Sequence, residues 1–220
     1  IDLYLTAGGQ GEVVTGGDGD DSLTGGAGAD SLTGDGGADT IKGVGNTDDT
    51  LVGGAGSDQI TGLNGADKIY GDLFATDDTV GGGNDIITTG NGGDSVRAGA
   101  GNDSITSGTG GDTIYGENGN DTIISNAGAE SIYGGAGNDV ITDAAGASSI
   151  TGGAGNDNIT AGADNDTVKG GDGNDVFVLN YNTSWKWDSG NAFGGNDNNQ
   201  DGITNFDEYF NIQGVVADFE

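Results

Sequence analysis

The chain repeats itself every nine residues, and that period limits its fold more than any other property. From Gly16 the blocks read GGDGDDSLT, then GGAGADSLT from Gly25 and GDGGADTIK from Gly34. Later blocks include AGAGNDSIT from Ala98, GGAGNDVIT from Gly134, GGAGNDNIT from Gly152 and GGDGNDVFV from Gly170. The shared pattern is GGxGxDxUx, where U is a large apolar residue. The eighth position reads Val14, Leu23, Leu32, Ile41, Leu51, Ile60, Ile69, Asp78, Ile87, Val96, Ile105, Ile114, Ile123, Ile132, Ile141, Ile150, Ile159, Val168 and Phe177. Eighteen of these nineteen are apolar, so the register holds along the chain once one extra residue is allowed within 43–52. The exception, Asp78, lies in the block GDLFATDDT (71–79), which moves its apolar residues to Leu73 and Phe74. We expect this block to bulge outward as a turn.

A nine-residue unit of this kind has a physical reading. Six Gly-rich residues make a tight turn that needs φ > 0 positions. The remaining x-U-x makes a short strand with its apolar side chain pointing inward. Two units then close one coil, and residues i and i+18 stack on successive coils. The fold class expected is all-β: a right-handed parallel β-roll (a β-solenoid) over residues 1–178, followed by an aromatic-rich C-terminal cap over 179–220. The roll would contain roughly nine and a half coils and be on the order of 45 Å long.

Charge points to the ligand. The chain carries 36 Asp and Glu against 5 Lys and Arg, a formal net charge of −31. Nucleic acid is excluded as a partner, because binding phosphates needs clustered cations. There is no Cys and no His, which removes disulfides, thiolate sites, the usual zinc ligand and the usual general base. No apolar run is long enough for a membrane helix, so the chain is not expected to span a membrane; nothing catalytic is visible in it, so it is not expected to be an enzyme. Acidic, Gly-rich chains are often disordered, but disordered chains rarely keep a fixed period. With one core side chain per nine residues, and Gly costly to order, the metal-free chain should be largely unfolded. Something must cross-link the coils. Carboxylate and carbonyl oxygens favour Ca²⁺ over zinc, copper or nickel, and Mg²⁺ resists dehydration and demands stricter geometry.

The GGxGxDxUx blocks resemble the RTX (repeats-in-toxin) calcium-binding β-roll family. The resemblance implies that each ion sits between turns 18 residues apart, held by carbonyls of GGxGx and by the position-six Asp of both turns. The metal candidates are therefore Asp21, Asp30, Asp39, Asp49, Asp58, Asp67, Asp85, Asp94, Asp103, Asp112, Asp121, Asp139, Asp157, Asp166 and Asp175. Their turns supply Gly26, Gly28, Gly99, Gly101, Gly135, Gly137, Gly153, Gly155, Gly171 and Gly173. Sorting position six by alternate units predicts two edges. One runs Glu12, Asp30, Asp49, Asp67, Asp85, Asp103, Asp121, Asp139, Asp157, Asp175, with Asn at position five from Asn84 onward. The other runs Asp21, Asp39, Asp58, Thr76, Asp94, Asp112, Glu130, Ser148, Asp166. The first should carry an unbroken calcium ladder, and the second should be interrupted near Thr76 and from Glu130 onward.

After Val178 the period stops and aromatics concentrate, among them Tyr181, Trp185, Trp187 and Phe193. Capping of the open last coil is the expected role; a carbohydrate surface at Trp185 and Trp187 is the alternative. Within this segment Asp197, Asn199, Asp201, Gly202 and Glu208 fit the twelve-residue EF-hand loop, although Thr204 stands at its apolar eighth position. Ile203 and Phe206 could equally be core residues of a terminal strand. At the front, 1–15 reads as an imperfect first coil, and a start at Ile1 without a signal peptide suggests a piece of a longer protein. The resemblance implies an extracellular or cell-surface calcium module of an exported bacterial protein, unfolded during type I secretion. Self-assembly in a surface layer is the preferred host context, with cell-surface polysaccharide as a further partner. Alternatives are the C-terminal module of a secreted enzyme or toxin, and an adhesin or an ice- or glycan-binding face. For that face, outward Thr24, Thr33, Thr61, Thr88, Thr106, Thr142, Thr151 and Thr160 are interrupted by Lys42, Tyr70, Arg97, Tyr115, Tyr133 and Lys169.

Overall fold

A computed structural model of the chain describes residues 1–73, 82–162, 164 and 166–179. Trp185, Trp187, the Asp197–Glu208 loop and the rest of the expected cap from 180 onward lie outside the described residues. Within them there are nineteen strands and no helix. Ten form one parallel sheet: β1 (Tyr4–Thr6), β3 (Ser22–Thr24), β5 (Thr40–Lys42), β7 (Gln59–Asn64), β9 (Ile86–Asn91), β11 (Ser104–Thr106), β13 (Thr122–Ser125), β15 (Val140–Asp143), β17 (Asn158–Ala161) and β19 (Val176–Leu179). The other nine form the facing sheet: β2 (Val13–Asp18), β4 (Ser31–Gly36), β6 (Thr50–Ala55), β8 (Lys68–Tyr70), β10 (Ser95–Ala100), β12 (Thr113–Asn118), β14 (Ser131–Ala136), β16 (Ser149–Ala154) and β18 (Thr167–Asp172). Each strand pairs with the next-but-one in sequence, as a two-unit coil requires.

The predicted register is present. Ile105 faces Ile123 and Ile114 faces Ile132, one coil apart. Leu23, Leu32, Ile41, Leu51, Ile60, Ile69 and their successors to Ile159 form one fully buried column between the sheets. Leu5, Val14, Val168 and Phe177 pack against it from the two ends. The extra residue expected within 43–52 falls in the turn before Asp49, where the pairing step becomes Ser31↔Thr50 and Thr40↔Gln59. Outward side chains divide by sheet. Thr61, Thr88 and Thr106 align on the ten-stranded face. Tyr70, Arg97, Tyr115 and Tyr133 align on the other. There the Tyr115 and Tyr133 rings stack at 4.8 Å, and Arg97 lies 5.5 Å from the Tyr115 ring centre.

The count of units is corrected, while the outward bulge expected of the block 71–79 falls mostly on residues outside those described. That block does not stand as a unit of the coil. Ile60 pairs with Ile87 and Ile69 with Val96, so the ladder steps over nine residues on both sheets. The insertion falls inside a turn. Gly71 and Asp72 begin that turn, and Gly82, Gly83, Asn84 and Asp85 complete it before β9. Because a whole unit length is removed from the ladder, every later unit changes edge relative to a simple alternation.

Candidate metal centre

The turns are held open by glycine and closed by the neighbouring coil. In the turn 134–139, Gly135 and Gly137 have φ of 124° and 139°, values that L side chains rarely adopt. Gly99, Gly101, Gly153, Gly155, Gly171 and Gly173 repeat this pair, whereas Gly26 and Gly28 have no positive φ and instead lie hard against the backbone of Gly8 and of Gln10–Gly11. Asp35, Leu63 and Glu117 take the same left-handed conformation without being glycine.

Position six comes next, immediately before each strand. On the edge leading into the ten-stranded sheet it is aspartate before every strand from β3 onward: Asp21, Asp39, Asp58, Asp85, Asp103, Asp121, Asp139, Asp157 and Asp175, with Leu3 in that place before β1. On the edge leading into the nine-stranded sheet it reads Glu12, Asp30, Asp49, Asp67, Asp94, Asp112, Glu130, Ser148 and Asp166. This corrects the predicted edges. The step over 73–81 joins Asp58 to Asp85 and Asp67 to Asp94, and Thr76 lies outside the described residues.

Each aspartate along the first edge uses its oxygens differently. Its Oδ1 accepts the backbone N–H of the equivalent residue one coil earlier. The Asp103 amide donates to Asp121 at 2.8 Å, Asp121 to Asp139 at 2.9 Å and Asp139 to Asp157 at 2.9 Å. Across the insertion, the Asp58 amide donates to Asp85 at 2.8 Å. Position five is tied in the opposite sense: the Asn120 amide donates back to Asn102 Oδ1 on the previous coil at 2.7 Å, and the Asn138 amide to Asn120 Oδ1 at 2.6 Å. Side chains at positions five and six thus satisfy two amides per turn that no ladder reaches.

The second oxygen has no such partner. Oδ2 of Asp21, Asp39, Asp58, Asp85, Asp103, Asp121, Asp139 and Asp157 is buried and unpaired, as is that of Asp49, Asp67, Asp94, Asp112 and Asp166. These residues are almost wholly enclosed. Asp30 differs, because its Oδ2 accepts the Gly26 amide at 2.6 Å. For Asp21, Asp39, Asp49, Asp58, Asp67, Asp85, Asp121, Asp139 and Asp157 the Oδ2 points into a space that exists because the first residue of the turn is glycine. A Cβ placed on Gly34 would lie 2.6 Å from the carbonyl oxygen of Gly53 on the next coil, and closer still to Asp39 Oδ2. The same cradle recurs at Gly152, with Gly170 O at 2.7 Å and Asp157 Oδ2 beside it.

Buried carboxylates without counter-charge should resist ionisation. Burial pushes Asp85 up to about 8 and Asp58 and Asp103 up to about 7, neighbouring carboxylates adding to the rise and amide hydrogen bonds opposing it. Asp67, Asp121, Asp139, Asp143 and Asp157 rise to about 6 for the same first reason. For Asp30 burial also acts upward, but amides of Glu12 and Gly26 outweigh it and hold the carboxyl below its ordinary value. A row of unpaired anionic oxygens beside carbonyls, with no nitrogen or sulfur donor, fits a hard divalent cation. Among the described residues no three acidic side chains close on one point, so carbonyls must belong to the donor set.

Sequence reasoning missed part of this arrangement. Asp72, at the start of the interrupted turn, accepts the Ala100 amide at 2.6 Å and raises the carboxyls of Asp58, Asp85 and Asp103. On the second edge the first turn residue is no longer glycine: Thr89, Ser107, Ser125 and Asp143 form a buried row. The Thr89 and Ser107 hydroxyls lie beside the carboxyls of Asp94 and Asp112 and oppose the rise that burial causes.

Comparison with known families agrees with the geometry. The family described as RTX calcium-binding nonapeptide repeat (4 copies) matches residues 6–41, 44–75, 79–114, 106–141 and 143–177. A search of curated proteins found no match. The matched stretches cover most of the chain and contain the turns just described: the chain belongs to the family of RTX calcium-binding nonapeptide repeats, and it is a calcium-binding structural module.

Proposed function

We propose that this module works outside the cell, at the surface of a bacterium, and folds there as calcium arrives. The ligands in this reading are the position-six carboxylates from Asp21 to Asp175 on the first edge and Asp49, Asp67, Asp94, Asp112 and Asp166 on the second, with carbonyls of the glycine turns. The observation that carries it is the buried, unpaired Oδ2 repeated coil after coil. Calcium supplies the positive charge that these rows lack and ties successive coils together. Without it, one core side chain per unit has to hold together glycine-rich turns and repelling carboxylates. Millimolar extracellular calcium suits modules of this affinity class, whereas cytoplasmic levels would leave the chain unfolded and exportable.

In this proposal the segment is structural rather than enzymatic, and its host is an assembling surface-layer subunit. The C-terminal module of a secreted enzyme or toxin is the competing host; a catalytic motif upstream of Ile1 in the full-length product would favour it. Circular dichroism during a calcium titration tests the core of the proposal. Expected is a cooperative gain of β signal with calcium and none with equimolar magnesium. A compact β spectrum that survives exhaustive chelation at pH 8 would overturn it.

A further inference from the structure

The turn 143–148, which reads DAAGAS, breaks the repeat at both ends: its first residue is Asp143 instead of glycine, and its sixth is Ser148 instead of an acid. The two departures compensate each other. Elsewhere one aspartate performs two tasks, Oδ1 tying the previous coil's amide and Oδ2 facing the cradle. Here Ser148 Oγ takes the first task, accepting the Glu130 amide at 3.2 Å. It has no second oxygen to offer. Asp143 enters the same space from the opposite end of the turn, its Oδ1 3.4 Å from Ser148 Oγ. Ser148 Oγ also donates to Glu130 Oε2 at 2.9 Å.

The result is enclosed and electrically incomplete. Asp143, Glu130 and Ser148 are 1 %, 2 % and 3 % exposed. Glu130 Oε1, Asp143 Oδ2 and the nearby Ser125 Oγ have no hydrogen-bond partner. Among the described residues neither Asp143 nor Glu130 is ion-paired to Lys or Arg. One hydroxyl carries one proton, shared between Glu130 Oε2 at 2.9 Å and the longer contact to Asp143 Oδ1 at 3.4 Å, so Asp143 Oδ2 and Glu130 Oε1 are left without a donor. Two buried carboxylates left this way are strongly unfavourable unless a cation joins them.

We propose that Asp143, Glu130 and the Ser148 hydroxyl form a calcium site in which the carboxylate has been transposed from the last to the first residue of the turn. Resting on the calcium reading above, it predicts an ion on the second edge where the repeat motif is lost. All side-chain donors are hard oxygens, which selects calcium over softer or nitrogen-seeking metals.

The test is calcium stoichiometry, measured by atomic emission on gel-filtered protein, with circular dichroism confirming the fold. Asp143→Gly should bind one ion fewer per chain than the unmodified protein. Asp143→Gly combined with Ser148→Asp rebuilds an ordinary turn, GAAGAD, and should recover that ion. An unchanged count in the single variant would overturn the proposal in favour of two carboxyls sharing a proton. A double variant that stays one ion short would overturn the transposition. If the single variant does not fold, terbium anomalous diffraction on the unmodified protein decides: a peak between Asp143 and Glu130 supports the site, and its absence overturns it. A chain that binds no calcium on either edge would instead remove the proposed function itself.

Discussion

At Asp121, Oδ1 accepts the Asp103 amide hydrogen while Oδ2 faces the cradle without a partner, so Asp121→Ala has two separable effects. It orphans a buried amide, a loss of on the order of 1–3 kcal/mol, and it removes a carboxylate from the middle of the unbroken edge. Asp139→Ala does the same one coil later. Asp166→Ala acts near the end of the mixed edge, where hydroxyls and transposed groups share the work. We expect the calcium midpoint, followed by circular dichroism, to rise severalfold more for Asp121→Ala or Asp139→Ala than for Asp166→Ala. Backbone strain can be tested at Asp35, which has φ of 78° and whose charge helps raise the Asp39 carboxyl. Asp35→Gly relieves both and should stabilise the calcium-loaded roll by about 1 kcal/mol in chemical denaturation; a loss of stability would mean that the Asp35 side chain itself takes part in binding.

At the level of the element, the turn split by 73–81 is the informative case. Its remaining residues, Gly71, Asp72, Gly82, Gly83, Asn84 and Asp85, spell GDGGND, one residue away from the GDGGAD of 34–39. Deleting 73–81 should therefore leave the pairs Ile60↔Ile87 and Ile69↔Val96 in place. It also shortens the closed loop, a gain of about 0.8 kcal/mol by loop-closure entropy, so the thermal midpoint with calcium should hold or rise. Collapse of the β spectrum would show that the inserted residues support the coil. This turn also explains what was readable beforehand. Strand positions, core column and i+18 stacking followed from the apolar eighth position, because a short strand with one inward side chain leaves no other register. The exchange of edges did not, since the inserted stretch has the length of one unit and so imitates the period; the halves GD and GGND were the overlooked signal. Asp143 escaped notice for a related reason: a search for carboxylates at position six passes over one at position one.

Over the whole molecule, the raised carboxyls set opposite pH responses with and without metal. A group whose folded pKa lies above its unfolded value stabilises the fold fully below the unfolded value, and that stabilisation is lost as pH rises through the folded one. For Asp58, Asp103 and Asp85 the window runs from 3.8 up to about 7 and about 8. In chelator, β signal should therefore be stronger at about pH 4.5 than at pH 8. With calcium the order reverses, because ligands must shed protons to bind, and the midpoint concentration should fall as pH rises from about 5.5 to 8. A calcium midpoint independent of pH would contradict the assignment of these carboxylates as ligands.

The step over nine residues also bears on how such a chain can lengthen. Copying a single unit into the coil would hand every downstream unit to the opposite ladder, placing serine and threonine rows where aspartates had stood. Copying two together keeps each where it was. Duplication in pairs is thus the inheritance this architecture tolerates, and an odd copy survives only by being looped out of the stack.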